Sequence, residues 1–239
     1  MTRICRGSNA ALKRLALTGL AVCGVLPVAA ADMSAPGAPG LAPFFEHPTP
    51  KPKAPDADGF LQRWLLLEPI VKPNRSNAGF TGTYVRAALT APYFPGQFTM
   101  VPRDGQTVKA AAALQWHALD STLFDVKLFN FAQGLGKPTY GVIFWAVTVV
   151  HSPRELKNVR MAVGSNSASM WWLNGQEVAG LFGDRRMVMD DVVSPPLTLH
   201  KGKNIIRGAV INGPGLSDFC VRFIDEDGHP VREITVDAS

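Results

Sequence analysis

Residues 140–151 read YGVIFWAVTVVH, and no other stretch constrains the fold as tightly. β-Branched and aromatic residues dominate it, and its polar residues are too few to make a solvated face. Such a run is a strand buried on both sides. Most of the surrounding sequence reads as further short strands set off by glycine turns. Trp64–Ile70 is a first strand, bounded by Pro69 and Pro73. Phe98–Pro102, a turn at Asp104-Gly105, and Lys109–His117 form a candidate pair. In Lys157–Ser165, Val159, Met161 and Val163 alternate with polar or small residues. Ser169–Leu173 runs into Asn174-Gly175, residues that tolerate the positive φ of a tight hairpin turn. Leu197–Leu199, a turn at Lys201–Lys203 and Ile205–Ile211 read as another hairpin. Phe219–Ile224, Asp227-Gly228 and Val231–Val236 complete the pattern, and Thr83–Ala91 is the one helix expected. With no strand–helix alternation and no internal repeat, the prediction is a mainly β chain folded as an antiparallel β-sandwich.

The N-terminus predicts a compartment. Arg3, Arg6, Lys13 and Arg14 precede the apolar stretch Leu15–Val28, and Ala29, Ala30 and Ala31 follow it. This is the pattern of a secretory signal peptide, too short for a membrane span of roughly 20 residues. Residues 1–31 are therefore expected to direct a secreted or periplasmic protein with no membrane span. Residues 32–59 carry prolines at 36, 39, 43, 48, 50, 52 and 55 and read as an extended, mobile linker, from which Phe44 and Phe45 can dock on the domain. Residues 60–239 are the expected sandwich domain. The formal net charge is +5, but four of the positive charges lie in the leader. The remainder is near neutral and shows no basic stripe, which argues against a nucleic-acid partner. Cys5 and Cys23 also lie in the leader, leaving Cys220 inside an apolar strand pattern as an expected buried thiol.

Residues 164–178, GSNSASMWWLNGQEV, resemble the jelly-roll modules attached to bacterial polysaccharide-degrading enzymes, where a strand ending in Gly-Ser leads to a Trp-bearing strand and a Leu-Asn-Gly turn. LTLHKGKNIIRGAVIN at 197–212 is similar to the family's L-x-x-G-x-N approach to a strand, and DFCVRFIDEDG at 218–228 to its closing strand. FLQRWLLLEPI at 60–70 is similar to the opening Trp strand, with Glu68 where the family usually has Gly. The resemblance implies a galactose-binding-like β-sandwich. GSNSASMWWLNG, DRRMVMDD and NGPGLSDFCVRF also resemble small secreted acetylxylan esterases.

Strand alternation puts Trp171 and Trp172 on opposite faces. Trp172 is assigned to the core; Trp171 is either a platform for a sugar ring or a second buried ring covered by a loop, with Trp116, Tyr84, Tyr93 and Tyr140 as further aromatic candidates. Asp184, Arg185, Arg186, Asp190 and Asp191 form the densest charged cluster. Arginines grip carboxylates or hydroxyls, and the adjacent Asp190 and Asp191 are a possible structural Ca²⁺ site. The other reading of the cluster is a salt-bridge network joining strands. Asn212, at the end of its strand, completes the expected ligand surface. No G-x-S-x-G elbow is present, so the candidates for ester chemistry are Ser165, Ser167, Ser121 and His117, the last in WHALDS, with His151 a second base. Nothing has zinc-site spacing. Taken with these features, the resemblance implies a carbohydrate-binding or accessory module for a polysaccharide such as xylan. The alternatives are an acetylxylan esterase and a structural envelope domain.

Overall fold

The computed structural model describes residues 40–73 and 76–238. The expected signal peptide and the start of the proline-rich segment lie outside them. In chain order the elements are β1 (Phe45–Glu46), β2 (Arg63–Leu67), β3 (Ile70–Val71), α1 (Gly82–Thr90), β4 (Thr107–Lys109), β5 (Ala113–Ser121), α2 (Leu128–Gly134), β6 (Val142–Ser152) and β7 (Leu156–Ser165). They continue as β8 (Ala168–Leu173), β9 (Gln176–Leu181), β10 (Val192–Val193), β11 (Leu197–Leu199), β12 (Gly202–Asn212), β13 (Phe219–Ile224) and β14 (Thr235–Asp237). The pairings are antiparallel and build two sheets. The larger has the order β1-β5-β2-β6-β12-β8-β9, and the smaller is centred on β7, flanked by β13, β10 and β11. The fold is thus mainly β and sandwich-like, as the sequence predicts.

β6 is central and buried on both faces, for a reason visible in its alternation. Val142, Phe144, Ala146 and Val150 face the small sheet and join the inter-sheet core with Trp64, Met161, Trp171 and Phe223. Ile143, Trp145 and Val147 face the other way, where α1 and the loop after it cover them with Val85, Leu89, Phe94 and Phe98. The protein therefore has a third layer on the outer face of the large sheet. Thr81 caps α1, its hydroxyl accepting from Tyr84 N.

Several local expectations differ from the structure. Phe98–Pro102 is a turn and loop, not a strand, because Phe98 is drawn onto Trp145 and Trp172, with ring centroids 5.4 and 5.6 Å apart. β5 pairs instead with β4, Lys109 opposite Ala113. α2 was not expected. Asn174-Gly175 does form the turn between β8 and β9, with φ of 51° and 85°. The hairpin expected at 197–211 is absent. β11 pairs with β7 while β12 pairs with β6 and β8, so the chain changes sheets between them. At that corner the buried Asn204 side chain replaces backbone pairing, accepting from His200 N (2.9 Å) and donating to His200 O (2.8 Å). The chain crosses again after β13, since β14 pairs with β6.

Residues 40–59 pack on the sandwich rather than standing off as a linker. Leu41 and Phe45 are buried, Phe44 packs against the core, β1 pairs with β5, and Lys53 bridges Val236. The folded part thus opens before Phe60. Among the described residues no helix is long and apolar enough to cross a membrane.

Candidate functional site

At one end of the sandwich the chain passes from β7 in the small sheet to β8 in the large one through only Asn166 and Ser167. So short a crossing forces an unusual backbone, and Ser167 takes φ +61°. A non-glycine residue there costs about 1–3 kcal/mol and must be held by its surroundings. Those surroundings are two further loops. Asn166 N donates to Asp218 O (2.9 Å) and Ser167 N to Arg185 O (3.2 Å). Asn166 Oδ1 accepts from Met187 N at 2.7 Å. The β7–β8, β9–β10 and β12–β13 connections are thereby tied together.

Between them lies a cleft of about 400 Å³, with Asn166, Ser167 and Asp218 at its floor and Arg185–Met187 and Pro214–Leu216 in its walls. The Ser167 hydroxyl is buried and has no hydrogen-bond partner. Arg185 is ion-paired with Asp191, whereas Arg186 is exposed and has no carboxylate partner among the described residues. Leu216 is 61% exposed, adding apolar surface to the rim. Three other clefts open beside Arg154 and Glu233, beside Asn174 and His200, and between α1 and Phe182. None has a buried, unpartnered polar atom in its wall. A buried hydroxyl left unsatisfied costs about 1–3 kcal/mol, so the floor at Ser167 is the place where an incoming hydroxyl or carbonyl restores most.

The structure sorts the sequence candidates. Asp184, Arg185, Arg186 and Ser167 come together in this cleft. Trp171 does not: it is fully buried between the sheets and cannot be a ligand platform. It packs edge-on against Trp64 and Phe219, with centroids 6.1 and 5.0 Å away, and Nε1 donates to Ser169 Oγ at 3.0 Å. Trp172 is also buried, on the other face, stacked on Trp145. Asn212 is buried under the cleft wall, donating to Thr139 O and Gly215 O, and supports the site from below rather than lining it. Asp190 is turned away to Arg222 and Asp191 to Arg185, so these carboxylates do not converge on one ion. Trp116 is buried; Tyr140 is 57% exposed, paired with Phe129 at 5.7 Å, beside the Thr139 carbonyl that holds Asn212.

The nucleophile–base pairs do not assemble. Ser165 Oγ lies 3.1 Å from Asn166 O and 3.0 Å from Ser169 Oγ, and Ser121 Oγ donates to Asp125 O at 2.6 Å. Ser121 stands four residues along β5 from His117, about 13 Å at roughly 3.3 Å per residue. His117 faces Glu68, Nε2 to Oε1 3.6 Å, with Lys137 on the other carboxylate oxygen at 3.1 Å. Burial holds the His117 pKa below the ordinary histidine value despite Glu68. Among the described residues no serine hydroxyl bonds to His117 or His151.

Cys220 is buried, as expected from its strand pattern, and burial pushes its thiol up to about 12. The neutral thiol is thus the folded form across the physiological range. A thiol reagent at pH 8 is expected to leave the Cys220 peptide unlabelled until the chain is unfolded; rapid labelling of the folded protein is the contrary result. As pH rises above the ordinary thiol value, only the unfolded chain ionises this group, so its contribution to stability falls with rising pH.

No protein-family model matches the chain, and no curated protein matches it. Two solved structures resemble it distantly. One is a PA14 sugar-binding domain from an RTX adhesin, 13% identical, with a TM-score of 0.37 over 72% of this chain and 95% of that one. The other is the PA14 domain of the MpAFP antifreeze protein, 10% identical, with a TM-score of 0.35 over 79% and 96%. The acetylxylan esterase resemblance finds no counterpart in these comparisons.

Proposed function

We propose that this chain is a secreted or periplasmic carbohydrate-binding or accessory module that takes a saccharide in the cleft over Ser167. The observation that carries the reading is the buried, unpartnered Ser167 hydroxyl at the floor of an open cleft whose lining includes Arg186, which has no carboxylate partner among the described residues. Sugar hydroxyls both donate and accept, and so can satisfy Ser167 and the fork of Arg186 together. Met187 and Leu216 offer apolar surface to ring C–H groups, and the exposed Tyr140 stands beside the wall. A xylan-type polysaccharide is the first ligand to test. In an affinity measurement on soluble xylan and its oligosaccharides, Arg186→Ala is expected to weaken binding about tenfold, a loss of roughly 1.4 kcal/mol. Unchanged affinity in Arg186→Ala, or no saturable binding to any polysaccharide by the parent chain, would sink the reading.

A second reading, ester hydrolysis, rests on Ser167, whose backbone is left-handed and whose hydroxyl, buried at the cleft floor, has no hydrogen-bond partner. The cleft lining contains no histidine, and Asp218 is the carboxylate at its floor. Acetate release from acetylated xylan that disappears in Ser167→Ala would favour this reading over simple binding.

A further inference from the structure

We propose that Lys127 and Asp218 are joined by an intramolecular isopeptide bond, a covalent staple between the segment that follows β5 and the start of β13. The backbone sets the pair opposite one another. Val126 and Phe219 form an antiparallel bridge, Val126 N donating to Phe219 O (2.7 Å) and Phe219 N to Val126 O (3.2 Å). Their side chains are buried in the inter-sheet core. Lys127 and Asp218, the next residues on each side, are therefore cross-strand neighbours. Lys127 Nζ lies 3.2 Å from Asp218 Oδ2 and 2.7 Å from Asp125 Oδ2. Asp125 and Asp218 are buried, and Asp125 Oδ1 has no hydrogen-bond partner.

Each group needed for condensation is in place. Asp218 is the electrophile, Lys127 the nucleophile and Asp125 the proton acceptor. Asn166 Nδ2 donates to Asp218 Oδ2 at 3.2 Å, which polarises the carboxyl and meets the charge that develops on that oxygen. Asn166 is itself held by Met187 N. Burial raises the Asp218 pKa, against the opposing charge of Lys127, and so favours the acid form that amide formation needs. Burial also works against the charge on Lys127, but Asp125 and Asp218 outweigh it and hold the lysine protonated. The first step is therefore transfer of a proton from Lys127 to Asp125. The freed amine then attacks Cγ of Asp218. The Asp218 hydroxyl leaves as water, and a C–N bond replaces the C–O bond. Asp125 finishes with the surplus proton of the ammonium, so charge is conserved and no further reactant is required. A neutral amide takes the place of a buried ion cluster whose desolvation is unfavourable. The floor of the cleft, where Asp218 lies, gives the water its way out.

The test is the intact mass of the purified chain, followed by a tryptic map of the denatured protein. The expected mass is lower than that of the sequence by one water, with no cleavage after Lys127 and a branched peptide containing both Lys127 and Asp218. Lys127→Arg keeps the charge, cannot condense in this way, and is expected to restore the full mass, as is Asp125→Asn. Full mass with normal cleavage after Lys127 in the parent chain overturns the proposal, and this reading needs no variant to fold. Loss of one ammonia would move the bond to Asn166. Loss of one water that persists in Lys127→Arg would mark dehydration of Asp218 alone. Either result overturns the assignment.

Discussion

Trp171→Ala is expected to destabilise the protein by about 3–5 kcal/mol, the range for removing a large aromatic from a packed core. Trp171 is fully buried and touches both sheets: Trp64 comes from β2 in the large sheet and Phe219 from β13 in the small one, and Trp64 and Phe219 also pack on each other at 4.9 Å. Across β12 it fills the space over Gly208, where there is no room for a Cβ. Removing the indole leaves a cavity between layers that are each tied into their own hydrogen-bond ladder and cannot close over it. It also leaves Ser169 Oγ without the Nε1 donor. Urea unfolding measures the loss through a lower midpoint. Saccharide affinity measured on the folded fraction is expected to stay at the parent value, because the ring has no exposed surface. An affinity loss with unchanged stability would return Trp171 to the ligand surface.

Asp120→Ala is expected to cost about as much, roughly 3–5 kcal/mol, for an electrostatic reason. Arg63 is 1% exposed and its fork is held by Asp120, Nε to Oδ1 at 2.8 Å and Nη2 to Oδ2 at 2.9 Å. Without that carboxylate the buried guanidinium loses both of its ion-pair hydrogen bonds and keeps only the more distant charge of Asp237. The same arginine donates to Lys51 O at 2.6 Å, and Asp120 also meets Lys53 Nζ at 3.5 Å. The pair thus fastens the proline-rich residues 49–53 to the edge of the large sheet. Limited trypsin digestion is expected to cut after Lys53 in Asp120→Ala under conditions that spare the parent chain. Replacing both partners by apolar residues, Arg63→Met with Asp120→Leu, is expected to recover part of the stability while leaving the segment open to cleavage. Equal stability of Asp120→Ala and parent would show that Arg63 finds another partner.

The candidate site was legible in part, and the division has physical causes. Arg185 and Arg186 stood out because two arginines among carboxylates need partners, and the structure supplies one to Arg185 only. Ser167 was visible only as one serine among several in a Gly-Ser-Asn-Ser run. Its left-handed backbone arises from the two-residue crossing between sheets, and no local sequence signal states that β7 and β8 belong to different sheets. Trp171 and Trp172 were correctly placed on opposite faces by alternation. Both faces of that strand are covered, however, and a layer formed by residues 80–100 cannot be inferred from the strand it covers. Lys127, Asp125 and Asp218 carry no motif at all, being brought together over a separation of 91 residues by one β-bridge.

By itself the sequence determined the local alphabet of this protein. The β-branched runs made strands, Asn174-Gly175 made a turn, and the double-sided apolar pattern at 142–150 required a central strand, because these follow from backbone preferences and from the period of side-chain exposure. Only the tertiary structure decided which sheet each strand joins. Strands β11 and β12 have patterns that suit a hairpin, yet they separate, β11 onto β7 and β12 onto β6 and β8, because a strand can bury one face in the inter-sheet core from either sheet. That choice brings three connections to one end of the sandwich, and with them the cleft over Ser167.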